Sequence, residues 1–215
     1  MNFNPELNSE DYFDHEYNRT MNNERCVEVS LGIRWVEALK DSSNLIEVGA
    51  VLPYYLPYYQ EVKYRVVDLY DKKATDNIDV MKVDLTGLDV LSISTIEHIG
   101  MADYQEDWKG VTDRVIIDPE ASILALRKIL DESNSCLVTV PIGYNVALDS
   151  WLQENLDSLN CFGYEKLSMY DKTVWPPVFS PRWNCVKNII KEYLYYPYHF
   201  PYPYANFVLF IQGWK

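Results

Sequence analysis

The chain has 215 residues, of which 48% are hydrophobic, and this is enough for one domain with a core of its own. Its 32 acidic side chains outnumber the 19 basic ones, so the formal net charge is -13. Because nucleic acids and anionic membranes are bound through clusters of Lys and Arg, this acidic excess argues against both as partners.

Residues 1–22 are rich in Asn, Asp and Glu, and we interpret them as a polar lead-in that is extended or partly disordered. A single domain is expected over residues 23–215. No stretch reaches the roughly 18 apolar residues of a membrane span, and the acidic N-terminus is unlike a signal peptide, so the sequence predicts a cytoplasmic protein. Four widely spaced cysteines without a C-x-x-C pair are expected to be buried free thiols, and no metal site is predicted.

The first predicted element is an amphipathic helix over Glu24–Leu39, where apolar residues recur at helical spacing. Four short apolar runs follow, at Leu45–Val48, Tyr64–Val67, Ile78–Val83 and Val90–Ser94. Continuous apolar runs of this length are typical of strands that are buried on both faces, as in parallel sheets.

Strand and helix then alternate along the chain. Pro119–Leu130 is predicted to be a helix that begins with Pro, and Cys136–Val140 to be the next strand. This alternation predicts an α/β fold built on a doubly wound sheet. Four later elements are predicted, namely a helix over Asn145–Leu159, an edge strand over Phe162–Met169, a helix over Pro181–Tyr193 and a last strand over Ala205–Gln212.

Two segments combine tyrosine with proline, Pro53–Gln60 and Tyr193–Tyr204, and they hold many of the 18 tyrosines. Proline in this pattern excludes a helix and a central strand, so both segments are expected to be loops. Two interpretations remain open. The loops are either rigid covers over an apolar face or stacking walls for a sugar or another flat ligand.

Acidic residues follow successive predicted strands, where the carboxyl ends of a parallel sheet form a ligand crevice. Glu47 lies at the end of the first strand, and Gly49 comes two residues later. Asp68 follows Glu47 by 21 residues, close to the roughly 20-residue spacing of acids that bind ribose hydroxyls. Asp79 comes next, and the strand DVLSI leads into Ser94–His98. The series favours a cationic ligand that contains ribose.

In these features the chain resembles class I methyltransferases that use S-adenosyl-L-methionine, over roughly Glu24–Gly213. The resemblance implies a Rossmann-like, mostly parallel sheet of seven strands with an antiparallel last strand and helices on both faces. It also implies a cofactor site in which each strand end has a role: Glu47, Gly49 and Ala50 at the methionine part, Asp68 and Leu69 at the ribose, Asp79 and Val80 at the adenine, Ser94 and Thr95 near the transferred methyl group, and Arg25 and Glu28 on an N-terminal segment across the cofactor.

Two positions depart from the family pattern. Its loop after the first strand has two or three glycines, whereas Val51 and Pro53 occupy the later places here. A subset with an E-V-G-x-V-L-x-x-Y loop resembles the chain more closely, and the line STIEHIG matches that subset. Asp84 is an alternative to Asp79, which we prefer because Asp84 leaves too few residues before the next strand.

The resemblance implies methyl transfer to a hydroxyl of a sugar, a glycan or another small molecule. We expect His98 to be the general base, oriented by Glu97, because the ordinary pKa of histidine is about 6.5. The acceptor cleft is expected to include Tyr54, Tyr144, Tyr198 and Tyr202. Alternatives remain for these residues: His98 as a structural histidine, Glu97 in a salt bridge elsewhere, Glu47 as the cap of the following turn, Asp68 as a solvated strand end, and Arg25 and Glu28 as the polar face of a helix.

Two other functions remain open, and the sequence does not fix the oligomeric state. One is a catalytically inactive, methyltransferase-like binding module. The other is an unrelated nucleotide-binding α/β enzyme, which is disfavoured because no G-x-G-x-x-G follows the first strand.

Overall fold

The computed structural model describes residues 3–18, 23–39, 41–55, 64–101, 116–168 and 182–215. Within these ranges the chain is an α/β protein with one mixed sheet of seven strands. The helices are α1 (Arg25–Ala38), α2 (Ala121–Glu132) and α3 (Val146–Asn155), and the strands are β1 (Leu45–Val48), β2 (Arg65–Val67), β3 (Asp89–Ile93), β4 (Ser135–Pro141), β5 (Asn160–Ser168), β6 (Arg182–Val186) and β7 (Phe207–Trp214). None of the described helices is long and apolar enough to cross a membrane.

The strands are arranged in the order β2-β1-β3-β4-β7-β5-β6. The first four of these pair in parallel, while β7 is antiparallel to both of its neighbours and β6 is antiparallel to β5. Glu47 pairs with Val66 on one side and Leu91 on the other, and Ile93 pairs with Thr139. The loops that follow β1, β2, β3 and β4 therefore converge at one edge of the sheet.

Each face of the sheet has its own hydrophobic core, and side chains alternate between the two along β3. Val90 packs on one face with residues of α2 and α3, whereas Leu91 and Ile93 pack on the other with residues of α1. This two-residue period is the geometry of a strand buried on both sides. It explains why the predicted strands appear in the sequence as continuous apolar runs.

Gly32 interrupts the apolar pattern of α1 because the helix meets the sheet at this residue. A Cβ atom at this position would lie 2.9 Å from Cδ1 of Ile93. A side chain here would push α1 away from β3. The close approach also fixes the first turn of α1 above the end of β3.

Most predicted elements are confirmed to within a few residues, but the segment Ile78–Val83 is not a strand. It forms a turn of 3-10 helix, Val80–Lys82, and the carboxylate of Asp79 accepts a hydrogen bond from the Met81 amide at 2.9 Å. The capped turn satisfies the local backbone without a partner strand.

The helix predicted over Pro181–Tyr193 is also wrong. The structure has β6 there and then a 3-10 turn, Lys191–Tyr195, while Pro181 lies outside the described residues. Trp183 on β6 is buried beside exposed neighbours, which is the alternation of a strand. Because β6 pairs with β5, β5 is an interior strand and not the predicted edge strand.

All four cysteines are free thiols, as predicted. Cys26 and Cys136 are buried, whereas Cys161 and Cys185 are half-buried.

The N-terminal residues 3–18 pack against the domain, unlike the lead-in that the composition predicts. The hydroxyl of Tyr12 is buried, donates to the Trp183 carbonyl at 2.8 Å and accepts from the Trp183 amide at 3.1 Å. Asn18 is fully buried and its side-chain oxygen accepts from the Tyr55 hydroxyl at 2.5 Å. Polar side chains in this segment thus serve as partners for backbone groups of β6 and for the loop after β1. Residues 19–22 lie outside the described ranges.

We expect Tyr12→Phe to lower the free energy of unfolding by about 1 to 3 kcal/mol, because a buried amide and carbonyl of the edge strand lose their partner. Chemical denaturation measures the loss. Tyr195→Phe is the matched control, since the Tyr195 ring is largely exposed, and it should change stability little. If the Tyr12 variant and the wild type are equally stable, the packing of residues 3–18 does not contribute to the cooperative unfolding of the domain.

Candidate functional site

The loop after β1 lies against the tip of β3. Gly49 has a φ of +89°, and a Cβ atom there would lie 1.9 Å from Oγ1 of Thr95. The Gly49 amide donates to the Val67 carbonyl at 2.8 Å. Both the backbone conformation and the space require glycine at this position. The structure therefore brings the predicted residues Gly49 and Thr95 together.

Glu47 lies beneath this loop and is fully buried. One carboxylate oxygen accepts from the amides of Val51 and Leu52 at 2.9 and 2.8 Å, and the Tyr64 hydroxyl donates to the other at 3.0 Å. Burial raises the pKa of Glu47 to about 7, although these hydrogen bonds favour the charged form. Glu47 thus shapes the loop through its backbone amides.

Asp68 follows β2 and lies beside the same loop. One carboxylate oxygen accepts from the amides of Tyr70 and Asp71, both at 2.8 Å, and the other accepts from the Ala50 amide at 3.3 Å. Its neighbour Leu69 is exposed. Asp68 and Ala50, predicted from the sequence as parts of one cofactor site, are therefore in direct contact.

The two candidates for the adenine acid both cap turns. Asp79 is half-buried at the start of the 3-10 turn, and Val80 beside it packs into the core. Asp84 is exposed and accepts from the Thr86 amide at 3.0 Å. Within the described ranges, neither carboxylate makes a hydrogen bond to Asp68 or Ala50.

Residues of α1 tie the tips of β3 and β4 together. One oxygen of the Glu28 carboxylate accepts from the Ser94 hydroxyl at 2.5 Å and from the Thr139 hydroxyl at 2.6 Å. The Thr139 hydroxyl oxygen in turn accepts from the Ser94 amide at 3.0 Å. Arg25 donates to the carbonyl of Ile93 at 3.0 Å. The predicted pair Arg25 and Glu28 therefore lies over Ser94, whose φ of 38° marks a sharp turn at the strand end.

Two buried carboxyl groups at this tip have oxygens without donors. Glu97 is 1% exposed, and neither of its carboxylate oxygens has a hydrogen-bond partner in the described part of the chain. The second oxygen of Glu28 also has none, and it lies 3.7 Å from Nη1 of Arg25. Burial, with the charge of Glu28 added, raises the pKa of Glu97 well above its usual range.

His98 is much more exposed than its neighbour Glu97. Its side chain is half-exposed, and its Nδ1 lies 3.1 Å from the Tyr144 hydroxyl. The Glu97 carboxylate is 3.7 Å from Nε2, beyond hydrogen-bond distance but within that of an ion pair when the imidazole is protonated, so orientation of His98 by Glu97 stays a prediction. In the 3-10 turn Ile96–His98 successive side chains are about 120° apart, which explains why Glu97 is buried while His98 is half-exposed.

Two of the predicted acceptor tyrosines are grouped with His98. The Tyr144 ring lies 4.5 Å from the imidazole centroid and meets the Tyr198 ring edge-on at 5.4 Å. The Tyr198 hydroxyl donates to Glu24 at 3.2 Å. His98, Tyr144 and Tyr198 therefore form an aromatic row at the carboxyl edge of the sheet.

The other two predicted tyrosines are held elsewhere. Tyr54 donates to Asp71 at 2.7 Å, and the Lys73 ammonium lies 3.8 Å from its ring centroid. Tyr202 donates to the Leu167 carbonyl at 2.6 Å, which fastens its loop to β5. Of the segment Pro53–Gln60, residues 56–60 lie outside the described ranges.

Sequence analysis missed three residues of this site, Thr139, Asn145 and Glu24. Asn145 caps α3 and donates to the Glu97 carbonyl at 3.0 Å, so it fixes the turn that holds Glu97 and His98. Asn before an apolar helix is a recognisable cap signal. Thr139 and Glu24 carry no local signal, because their roles depend on contacts with distant segments.

Comparisons with known proteins identify no relative: no family model, curated protein or solved structure matches the chain. Among the described residues, no group of three His, Cys, Asp or Glu side chains is arranged to hold a metal ion.

We expect Gly49→Ala to destabilise the fold by at least about 1 kcal/mol more than Gly87→Ala, because only the first meets Thr95. Gly87 has a similar φ of +76°, and nothing lies within 4 Å of its virtual Cβ. The control therefore carries the left-handed strain, about 1 to 2 kcal/mol, without the clash. Denaturant titration of both variants measures the difference. Similar losses of stability in the two variants would show that the loop of Gly49 and the turn of Thr95 can move apart at little cost.

Proposed function

We propose that the chain is a class I methyltransferase that uses S-adenosyl-L-methionine and methylates a hydroxyl of a sugar, a glycan or another small molecule. The observation that carries this proposal is the contact of Ala50 with Asp68 and of Gly49 with Thr95 at the carboxyl edge of the parallel strands. Ligands of open α/β sheets bind at this edge. Three predicted parts of one cofactor site meet there.

The arrangement of the sheet supports the same proposal. The antiparallel β7 lies between β4 and β5, and helices pack on both faces. We therefore propose a doubly wound, Rossmann-like sheet with an antiparallel last strand. It departs from the expected form because the turn Val80–Lys82 replaces one parallel strand and β6 adds an edge.

The residues of the site fit the cofactor. Glycine at position 49 lets the loop after β1 lie directly against Thr95, and Asp68 follows β2, where its carboxylate could accept hydrogen bonds from ribose hydroxyls. The carboxylate oxygens of Glu28 and Glu97 that lack a hydrogen-bond donor in the described ranges fit a cationic ligand. When bound, S-adenosyl-L-methionine supplies an electrophilic methyl group on a positively charged sulfur.

The protein's own part in the reaction is to align the acceptor and to take its proton. Alignment of two reactants is worth up to roughly 7 to 11 kcal/mol in well-oriented cases. In the tautomer with hydrogen on Nδ1, His98 donates to the Tyr144 oxygen, and Nε2 takes the proton of the acceptor hydroxyl. Tyr144 thus orients the base through Nδ1, while the Glu97 carboxylate lies 3.7 Å from Nε2.

The aromatic row supports a sugar or another neutral polyol as the acceptor. Tyr144 and Tyr198 present ring edges and faces beside His98, and rigid aromatic rings lose little entropy on binding. The net charge of -13 opposes polyanionic substrates. We propose a cytoplasmic enzyme without nucleic acid or membrane partners.

We expect Asp68→Ala to weaken binding of S-adenosylhomocysteine more than tenfold, since hydrogen bonds to a charged acceptor contribute roughly 1.5 to 3 kcal/mol each. Titration calorimetry measures the affinity. Asp41→Ala is the matched control: Asp41 also accepts from a backbone amide, at 2.8 Å, but it precedes β1 at the opposite edge. Unchanged affinity would remove Asp68 from the site, and no binding by the wild type would contradict the cofactor.

We expect His98→Ala to lower kcat about a hundredfold or more while cofactor affinity stays nearly constant, as for a positioned general base. The assay follows formation of S-adenosylhomocysteine with a panel of sugars and nucleotide sugars. In the wild type, the rate should fall as the pH drops through the imidazole pKa. An acidic limb that survives the substitution would place the base elsewhere. Cofactor binding without turnover on any acceptor would favour the inactive binding module.

A further inference from the structure

The four buried carboxyl groups around α1 and β1 fall into two kinds. Glu24 and Glu47 have donors on both oxygens: Tyr198 and the Ala205 amide for Glu24, and loop amides and Tyr64 for Glu47. Glu28 and Glu97 together leave three oxygens without a hydrogen-bond donor in the described ranges. Buried polar groups are nearly always paired, so these exceptions require a cause.

Arg25 does not provide that cause. Its Nη1 already donates to the Ile93 carbonyl at 3.0 Å, and it lies 3.7 Å from Glu28, beyond hydrogen-bond distance. His98 approaches Glu97 at 3.7 Å from outside, with its Nδ1 near Tyr144. One guanidinium thus faces two carboxyl groups, and when both are ionised the tip of β3 carries excess negative charge.

We propose that Glu28 and Glu97 are a charge sensor for the bound cofactor: they favour the sulfonium form and disfavour the uncharged product of methyl transfer. This inference rests on the proposed function and assigns a specific role to the two carboxyl groups. The ligand need not touch them, because charges interact across several ångströms in a low-dielectric interior. The Gly49 loop is in contact with Thr95, which follows Ser94 on the tip that Glu28 binds.

The sensor changes state with the reaction. The acceptor oxygen forms a bond to the methyl carbon, the carbon–sulfur bond breaks with its electrons left on sulfur, and the hydroxyl proton goes to His98. The sulfur is then a neutral thioether, and the positive charge lies on the imidazolium of His98, 3.7 Å from Glu97. Once the half-exposed His98 releases this proton to water, the site holds no cation in place of the sulfonium. Burial of Glu28 and Glu97 disfavours their ionised form, and a nearby cation compensates for this. Once the cation is gone, the product gains no such interaction, so it binds more weakly than the substrate form and leaves.

The test compares three ligands by calorimetry at pH 8: S-adenosylmethionine, S-adenosylhomocysteine and sinefungin, whose ammonium group stands in for the charged sulfur. We expect the wild type to bind both cations at least tenfold more tightly than S-adenosylhomocysteine. Glu97→Gln, which removes the charge and keeps the size of the side chain, should reduce the ratio to about threefold or less by weakening only the binding of the two cations. Glu28→Gln on α1 should act in the same direction.

Glu120→Gln is the control, because it makes the same charge change at an exposed position and should leave the ratio unchanged. Thermal melting verifies that each variant folds. Equal affinities for all three ligands in the wild type, or ratios that survive in both variants, would overturn the sensor and leave the proposed function intact. Failure of all three ligands to bind the wild type would overturn both. Loss of folding in both variants would assign the carboxyl groups to the framework instead.

Discussion

One carboxylate oxygen of Glu28 connects the two halves of the site. It accepts hydroxyl hydrogen bonds from the tips of both β3 and β4, and its helix α1 packs on the sheet through the close approach at Gly32. Hydrogen bonds to a buried charged group are among the stronger ones in proteins. The positions of Ser94, of the turn that follows it and hence of His98 depend on this junction.

The loops around the junction are fixed in the same way, by side chains that satisfy backbone groups. Glu47 holds the loop after β1 through two amides, Asp68 holds the loop after β2 through two more, and Asn145 caps α3 while it binds the turn of β3. A site on parallel strand ends needs such supports because the loops leave the sheet without ladder partners. Most of the acidic residues that the sequence suggested as ligand contacts therefore also accept hydrogen bonds from the protein itself.

The 3-10 turn after β3 places two neighbouring ionisable side chains, Glu97 and His98, in different surroundings. Glu97 points inward and joins the buried charges of α1, whereas His98 points outward and joins the aromatic row with Tyr144 and Tyr198. Under the proposed function, the buried side of this turn would face the charged cofactor and the exposed side the uncharged acceptor.

The sequence by itself determined the α/β class, most helices and strands, and the order of acids along the strand ends, because these depend on local apolar runs and on spacing along the chain. Only the tertiary structure decided the packing of residues 3–18, the strand β6 and the roles of Thr139 and Glu24. Each of these depends on a partner far away in sequence, such as Trp183 for Tyr12 or Glu28 for Thr139. The burial of Glu97 beside a half-exposed His98 was equally hidden, since a 3-10 turn and a helix place adjacent side chains differently and no local pattern distinguishes the two structures here.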